Sequence, residues 1–466
     1  MFVLIAYSLV CVLIVLMVEG KKRQSKDRFL VADRTVGGLF GAFAVAGSWI
    51  WAPALFLSTQ VGYTWGYSGL FWFVIPNMLA LILFAPVAAR VRSRLPEGYS
   101  YIQFIRKKGG YFREVQLSVQ LIVQLVCCAI QLTAGAELLT FISGTPYPVI
   151  VLIMAIAPLC YCLIAGLVSS LITDCIQYIV IAASIVIIFL NFPLTQDLPQ
   201  LAHSAFNPIA PAVFFQFGLA SLLTLIFGIF SNHQQWQRAF AADSKQVCKT
   251  FSIAGFLHGF VTFSLGTIGV LLAQSGYETH HIQIVGAEYI NNKMPQIFST
   301  IFLVMALSGL CATMSSALCA FGSLYATEIA TDKDPIKASR QAMLMLSALA
   351  FAIAIFRVPV IVLWMFCGLI RLGTAAPTIM SVFTEKLSGK AGVLSICVSI
   401  TLAAPIFIYG ALNENSIMRT AAMILCLTVS SGICIWQILS SRTKEADIQF
   451  IRKSVTEEKI LLNQKG

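Results

Sequence analysis

Runs of about 20 apolar residues recur along this chain from one end to the other, each long enough to cross roughly 30 Å of hydrocarbon as an α-helix. Of its 466 residues 58% are hydrophobic and only 11% are charged, where soluble proteins carry about 25% charged residues, so water alone is not its solvent. Apolar runs and charge positions together place spans at 2–18, 37–62, 66–88, 115–141, 147–166, 168–193, 212–230, 251–275, 296–329, 342–357, 359–384, 391–412 and 419–440. This predicts an all-α polytopic membrane protein with about 13 transmembrane helices, in which 147–193 requires a tight turn at Gly166. The longest external loop, 276–295, holds at most a short gating helix.

The first span, FVLIAYSLVCVLIVLMV, has no basic region before it and no small-residue cleavage site after it; its charges, EGKKRQSKDR, lie on the far side. It reads as a retained helix with its N-terminus outside. A net charge of +11 would suit a nucleic acid, yet the basic residues fall in alternate loops. Lys21, Lys22, Arg23, Lys26, Arg28 and Arg34 follow the first span, and Arg90, Arg92, Arg94, Arg106, Lys107, Lys108 and Arg113 follow the third, whereas 142–146 and 194–211 have no Lys or Arg. The charge therefore reports topology in an inner or plasma membrane, with the lipid bilayer and not nucleic acid as partner and the tail, 441–466, cytoplasmic. The 13 cysteines sit almost entirely within apolar segments and read as small buried hydrophobes, not as a disulfide framework or a metal site.

Four features carry chemistry. AGSWIWAPALFLSTQVGY (46–63) sets Gly47, Pro53 and several hydroxyls inside one span. Proline removes a backbone donor and frees a carbonyl near Trp49, so the helix is expected to break, either around a cavity or ion site or as a packed kink. In LSGLCATMSSALCAFGS (307–323), Ala312, Ser315 and Ser316 share a helical face. A carbonyl and two hydroxyls are hard oxygen donors fit for sodium; the same groups also serve as glue between membrane helices. Gln116, Gln120, Gln124 and Gln131 lie within an arc of about 80°, and the deeper two, Gln124 and Gln131, either hydrogen-bond a polar solute or link helices.

The fourth feature is charge inside the membrane. Arg371 in FCGLIRLGTAAP costs at least a few kcal/mol at mid-bilayer unless paired or hydrated, so it binds a carboxylate, snorkels, or pairs with Glu137 or Asp174. Asp174 in GLVSSLITDCIQY sits near the N-terminus of its helix, at the cytoplasmic end. It either complements the helix dipole or acts as a way-station for a cation leaving inward.

Taken in order, VADRTVGGLFGAF (31–43), GLVSSLITDCIQ (166–177) and QWQRAFAADS (235–244) resemble the sodium/solute symporter family, the last matching a cytoplasmic loop. SWIWAPALFLSTQVGYTWGYSGLFWF (48–73) and LWMFCGLIRLGTAAP (363–377) are similar to its urea transporter branch. The resemblance implies a LeuT-type core of two inverted five-helix repeats, roughly 37–193 and 212–384, with one helix before and two after. In domain terms this gives 1–36 as an extra helix and loop, 37–385 as the core, 386–440 as two added helices and 441–466 as the tail. It implies a coupling sodium ion between the first and eighth core helices, on the carbonyls of Gly47, Ile50 and Ala312 and the hydroxyls of Ser315 and Ser316. An ungapped match puts Thr313 and Met314 at the hydroxyl positions instead, and Met is no hard ligand. A small-molecule solute is expected beside Trp49 and Trp51, with Gln124, Gln131 and Arg371 in reach. The expected function is sodium-coupled symport of a urea-like or other small polar solute by alternating access. The alternatives are a proton-coupled carrier, a passive facilitator or channel, or a transporter-like sensor. No nucleophile with a paired base, phosphate loop or metal cluster speaks for an enzyme.

Overall fold

A computed structural model describes residues 2–22, 24–192, 210–358, 360–413 and 415–463. The principal helices in the first half are α1 (Phe2–Glu19), α2 (Gly38–Trp49), α3 (Ala52–Arg94), α4 (Phe112–Ser143), α5 (Tyr147–Ala165), α6 (Leu167–Leu190) and α7 (Pro211–Ser231). The second half contributes α8 (His233–Ala241), α9 (Val247–Gln274), α10 (Val285–Lys293), α11 (Gln296–Leu324), α12 (Pro335–Ile355), α13 (Val360–Phe383), α14 (Gly389–Leu412) and α15 (Ser416–Asn463). Helices such as α9 and α12 begin several residues before their apolar windows, because the polar first turns around Lys249 and Lys337 are helical too.

Among the described residues 12 helices are long and apolar enough to cross a bilayer, but α3 is not a single crossing. Gly66 interrupts it at φ 58°, ψ −147°, a conformation open essentially to glycine alone. Gly266 on α9 shows that the chain doubles back there. A Cβ at Gly266 would lie 3.1 Å from Ser58 O and also press on the Leu70 side chain, two positions about 18 Å apart along an uninterrupted helix. The limb 52–65 thus completes the crossing that α2 begins, and 67–94 returns, which makes 13 crossings among the described residues, the number expected from hydropathy. Glycines allow this close stacking: a Cβ at Gly255 would lie 2.8 Å from Met78 O, and one at Gly269 would strike the Thr59 carbonyl.

After α1 come five crossings, namely α2 with the first limb of α3, the second limb, α4, α5 and α6. Five more follow as α7 with α8, α9, α11, α12 and α13. Five is odd, so the second set enters from the opposite side, and each set opens with a broken helix. The first break is at Ile50 (φ −83°, ψ 85°) and Trp51 (φ −97°, ψ 170°), and the second at Asn232 (φ −105°, ψ 106°). The tight turn expected at Gly166 is present, at φ 57°, ψ −130° between α5 and α6. One expectation is corrected. QWQRAFAADS is not a loop: most of it forms α8, every residue of which is buried. Its polar side chains gave no hydropathy signal because they face protein and not lipid.

The basic segments meet on one face, where Arg34 donates to Glu97 O at 3.0 Å and Lys108 to the Glu385 carboxylate at 3.3 Å. Beneath them Glu328, in the π-helical turn Tyr325–Ile329 that follows α11, is buried and takes Arg113 at 2.9 Å and the Ser100 hydroxyl at 2.8 Å. Glu328→Ala is expected to lower stability by about 1–3 kcal/mol, read as a lower thermal midpoint in detergent, because it strips the charged acceptor from Arg113 and Ser100. On the opposite face α10 is the short helix expected in 276–295. Burial works against the charge of Glu288 there, but hydrogen bonds from the Thr279 hydroxyl and the His280 and His281 N–H groups hold its carboxyl below the usual range.

Candidate functional site

At the first break the backbone loses its regular ladder and is held by side chains from elsewhere. The Thr313 hydroxyl of α11 donates to Ile50 O at 3.0 Å and lies 3.3 Å from Ser48 O. Ala52 N–H, an orphan donor at the start of α3, is taken by Gln131 Oε1 at 2.9 Å. At the second break Gln234 Nε2 donates to Gln124 Oε1 at 2.9 Å, and Gln124 Nε2 to Asn232 Oδ1 at 3.4 Å. The two α4 amides singled out in the sequence are thus each tied to one of the two breaks.

Between the breaks lies a narrow cavity. Ser48, Trp49 and Trp51 line it from the first break, Asn232 and Gln234 from the second, and Cys127, Thr313 and Arg371 from α4, α11 and α13. Trp49, Trp51 and Arg371 of the expected solute residues line it; Gln124 and Gln131 stand behind the lining. Arg371 is buried, with Nη2 3.0 Å from Cys127 Sγ, and among the described residues it makes no ion pair. It pairs with neither Glu137 nor Asp174.

Asp174 has a different partner. Arg238 on α8 places Nη2 2.5 Å from Asp174 Oδ2 and 2.6 Å from the Ser316 hydroxyl. The Ser170 hydroxyl donates to Oδ2 and that of Ser315 to Oδ1, each at 3.1 Å. Asp174 and Arg238 are only 0% and 1% exposed, so a fully buried ion pair, and not the helix dipole alone, balances this carboxylate. The five residues expected to hold an ion stand on both sides of it. Gly47 packs so closely on α6 that a Cβ would lie 2.6 Å from Asp174 O. Ala312 O accepts from Ser316 Oγ at 2.6 Å and lies 2.9 Å from Ser315 Oγ, while Ile50 O faces Thr313. Sequence reasoning missed Arg238, Ser170 and the second break. The available signal was Asp174 itself, since a carboxylate inside a span demands a cation, and Arg238 is one close to an apolar run.

The profile described as "Sodium:solute symporter family" matches residues 29–392. The chain belongs to the sodium:solute symporter family. Family membership agrees with the multi-pass membrane architecture described above. Among curated relatives, "Probable urea active transporter 1" of Schizosaccharomyces pombe is 23% identical over 51% of this chain and 39% of its own length. "Urea-proton symporter DUR3" of Oryza sativa subsp. japonica is 21% identical over 86% of this chain and 64% of its own. The chain thus spans less than two thirds of the length of these relatives. Among solved structures, a Na+-coupled sialic acid symporter in a substrate-bound outward-open state superposes with a TM-score of 0.76 at 15% identity, covering 94% of this chain and 96% of that one. Mhp1, a nucleobase-cation-symport-1 family transporter in a closed conformation, gives 0.58 at 13% identity over 90% of this chain and 96% of its own. MhsT with L-phenylalanine gives 0.52 at 12% identity over 85% and 99%. The shared architecture is the LeuT-type pair of inverted five-helix repeats, here with one helix before and two after.

Proposed function

We propose that this symporter couples the inward flow of sodium to uptake of a small polar solute by alternating access, in a plasma membrane with its basic face and C-terminus cytoplasmic and its N-terminus outside. The transport unit is the ten-helix core, 37–385, to which 1–36, 386–440 and 441–466 are additions. The observation that carries this reading is a cavity between two facing helix breaks with hard oxygen atoms directly beside it. In this reading sodium takes the carbonyls of Gly47, Ile50 and Ala312 and the hydroxyls of Ser315 and Ser316. The solute sits against Trp49, Trp51 and Arg371, with Gln124 and Gln131 supporting the walls. Sodium at Ser316 competes with the Arg238 guanidinium, which already donates there, and Asp174 is the carboxylate next on the ion's path inward.

A second reading has a specific motive: the rice relative bears the name of a proton symporter with urea as solute. The test that separates the two does not depend on knowing the solute. Sodium chloride is expected to raise the thermal midpoint of the purified protein above that in choline chloride at equal ionic strength, by an amount that grows with the logarithm of sodium concentration. Ser316→Ala is expected to weaken this response about tenfold or more in apparent affinity, since one of about five or six hard ligands is lost. Equal midpoints in sodium and choline, with uptake driven by a pH gradient alone, reject sodium in favour of the proton.

A further inference from the structure

Three polar atoms on the residues lining the cavity are buried without a partner: Trp49 Nε1, Trp51 Nε1 and Arg371 Nε. All three are N–H donors. Of the acceptors on the same residues, Asn232 Oδ1 takes Gln124 and the Gln234 N–H and Ser48 Oγ takes Gln235, which leaves the Gln234 side-chain oxygen as a single neutral acceptor against a charged donor. Arg371 adds a permanent positive charge that is 5% exposed and lacks any ion-pair partner among the described residues. Among the described residues its guanidinium hydrogen-bonds only to the Cys127 sulfur, at 3.0 Å, and a thiol sulfur is a weak acceptor. A buried guanidinium with donors around it is costly when alone and becomes favourable when an anion with several acceptor positions arrives.

From this lining we infer that the transported solute carries a carboxylate, which Arg371 binds directly. The inference rests on the reading of this cavity as the solute site. Urea is neutral and offers a single acceptor oxygen, so in this pocket it would leave the charge of Arg371 unpaired and satisfy at most part of the donor set. A carboxylate brings only acceptors and supplies the missing charge, and the guanidinium fork matches its two oxygens. The unpaired indole N–H groups add donors from the first break, so an anion can be held from two sides of the cavity. Arg371 lies on α13 and the indoles on either side of the first break, Trp49 at the end of α2 and Trp51 just before α3, which makes binding of such a solute a link between the two repeats.

The test uses the full-length protein purified in detergent with sodium present. Thermal midpoints are measured against the monocarboxylates from formate to hexanoate, with lactate and pyruvate, each beside its neutral amide, and against urea. At least one carboxylate is expected to stabilise the wild type while its amide does not. That carboxylate's affinity is expected to fall about 100-fold or more in Arg371→Gln and less in Arg371→Lys, since truncating one partner of a buried charge pair costs that much. Should Arg371→Gln fail to fold, the carboxylate and amide comparison on the wild type still decides. Amide or urea binding equal to that of every carboxylate, stabilisation by none of the carboxylates, or carboxylate binding that survives Arg371→Gln overturns the inference. Failure of the cavity reading has its own signature: Trp51→Ala then changes the affinity of no probe. A neutral solute bound in the cavity instead loses affinity in Trp51→Ala and keeps it in Arg371→Gln.

Discussion

Asp174→Ala is expected to lose about 3–5 kcal/mol of stability, seen as a thermal midpoint several degrees below wild type in detergent. The carboxylate is wholly buried, and its removal leaves the Arg238 guanidinium with the Ser316 hydroxyl, the weaker contact to Ser170 and the Gln234 carbonyl, none of which carries charge. Arginine cannot escape by shedding its proton. Ser170 and Ser315 lose an acceptor at the same stroke. The mirror change, Arg238→Ala, is expected to cost less, because the carboxylate keeps both serine donors and can take up a proton. Removing both charges, as in Asp174→Ala with Arg238→Met, is expected to recover much of the loss, since the desolvation of the two ions disappears together. A double variant as unstable as the sum of the two singles shows that the pair is held by packing alone, and that the electrostatic account is wrong.

The same residues show which parts of this protein can be read from its sequence. Hydropathy resolved the crossings because lipid imposes its pattern on each helix separately, and Pro53 marked the first break because proline removes a ladder donor. The second break had no such mark. Asn232 is neither proline nor glycine, and α8 beyond it is polar and buried at once, a combination that residue type alone assigns to a loop. Partners were the hardest to read. Asp174 and Arg371 were offered to each other, yet Asp174 meets Arg238 and Arg371 meets Cys127, because contacts between helices carry no period along the chain. Helical periodicity puts the α4 glutamines on one face, but a face does not say whether an amide meets a ligand or a freed backbone group, and Gln131 meets Ala52 N–H. The serines of α11 were found by spacing; that Arg238 reaches Ser316 required the fold.

Gly166→Ala is expected to yield little folded protein, and the reason joins backbone strain to crowding. At φ 57°, ψ −130° the residue lies outside the regions an L-side chain occupies, a strain of about 1–3 kcal/mol. The new methyl would also press on the Phe29 carbonyl oxygen and lie 2.7 Å from the Phe29 ring, adding about 1–3 kcal/mol of overpacking. Phe29 is not free to retreat. It sits in the short helix Lys26–Val31, and the Arg340 guanidinium stands 5.4 Å over its ring while donating to Leu163 O at 2.8 Å and Ile164 O at 3.3 Å, the open carbonyls at the end of α5. Adding Phe29→Ala is therefore expected to bring little relief, since it removes the ring and leaves the carbonyl in place. Gly144 provides the comparison: its φ is +65°, but nothing lies within 4 Å of where a Cβ would stand. Gly144→Ala is expected to cost only about 1–2 kcal/mol, the left-handed backbone alone. Equal losses of thermal midpoint in the two variants would mean that crowding at the α5–α6 corner contributes nothing, whereas a much deeper loss at Gly166 identifies that corner as a point where α1's trailing segment, the first repeat and α12 are locked together.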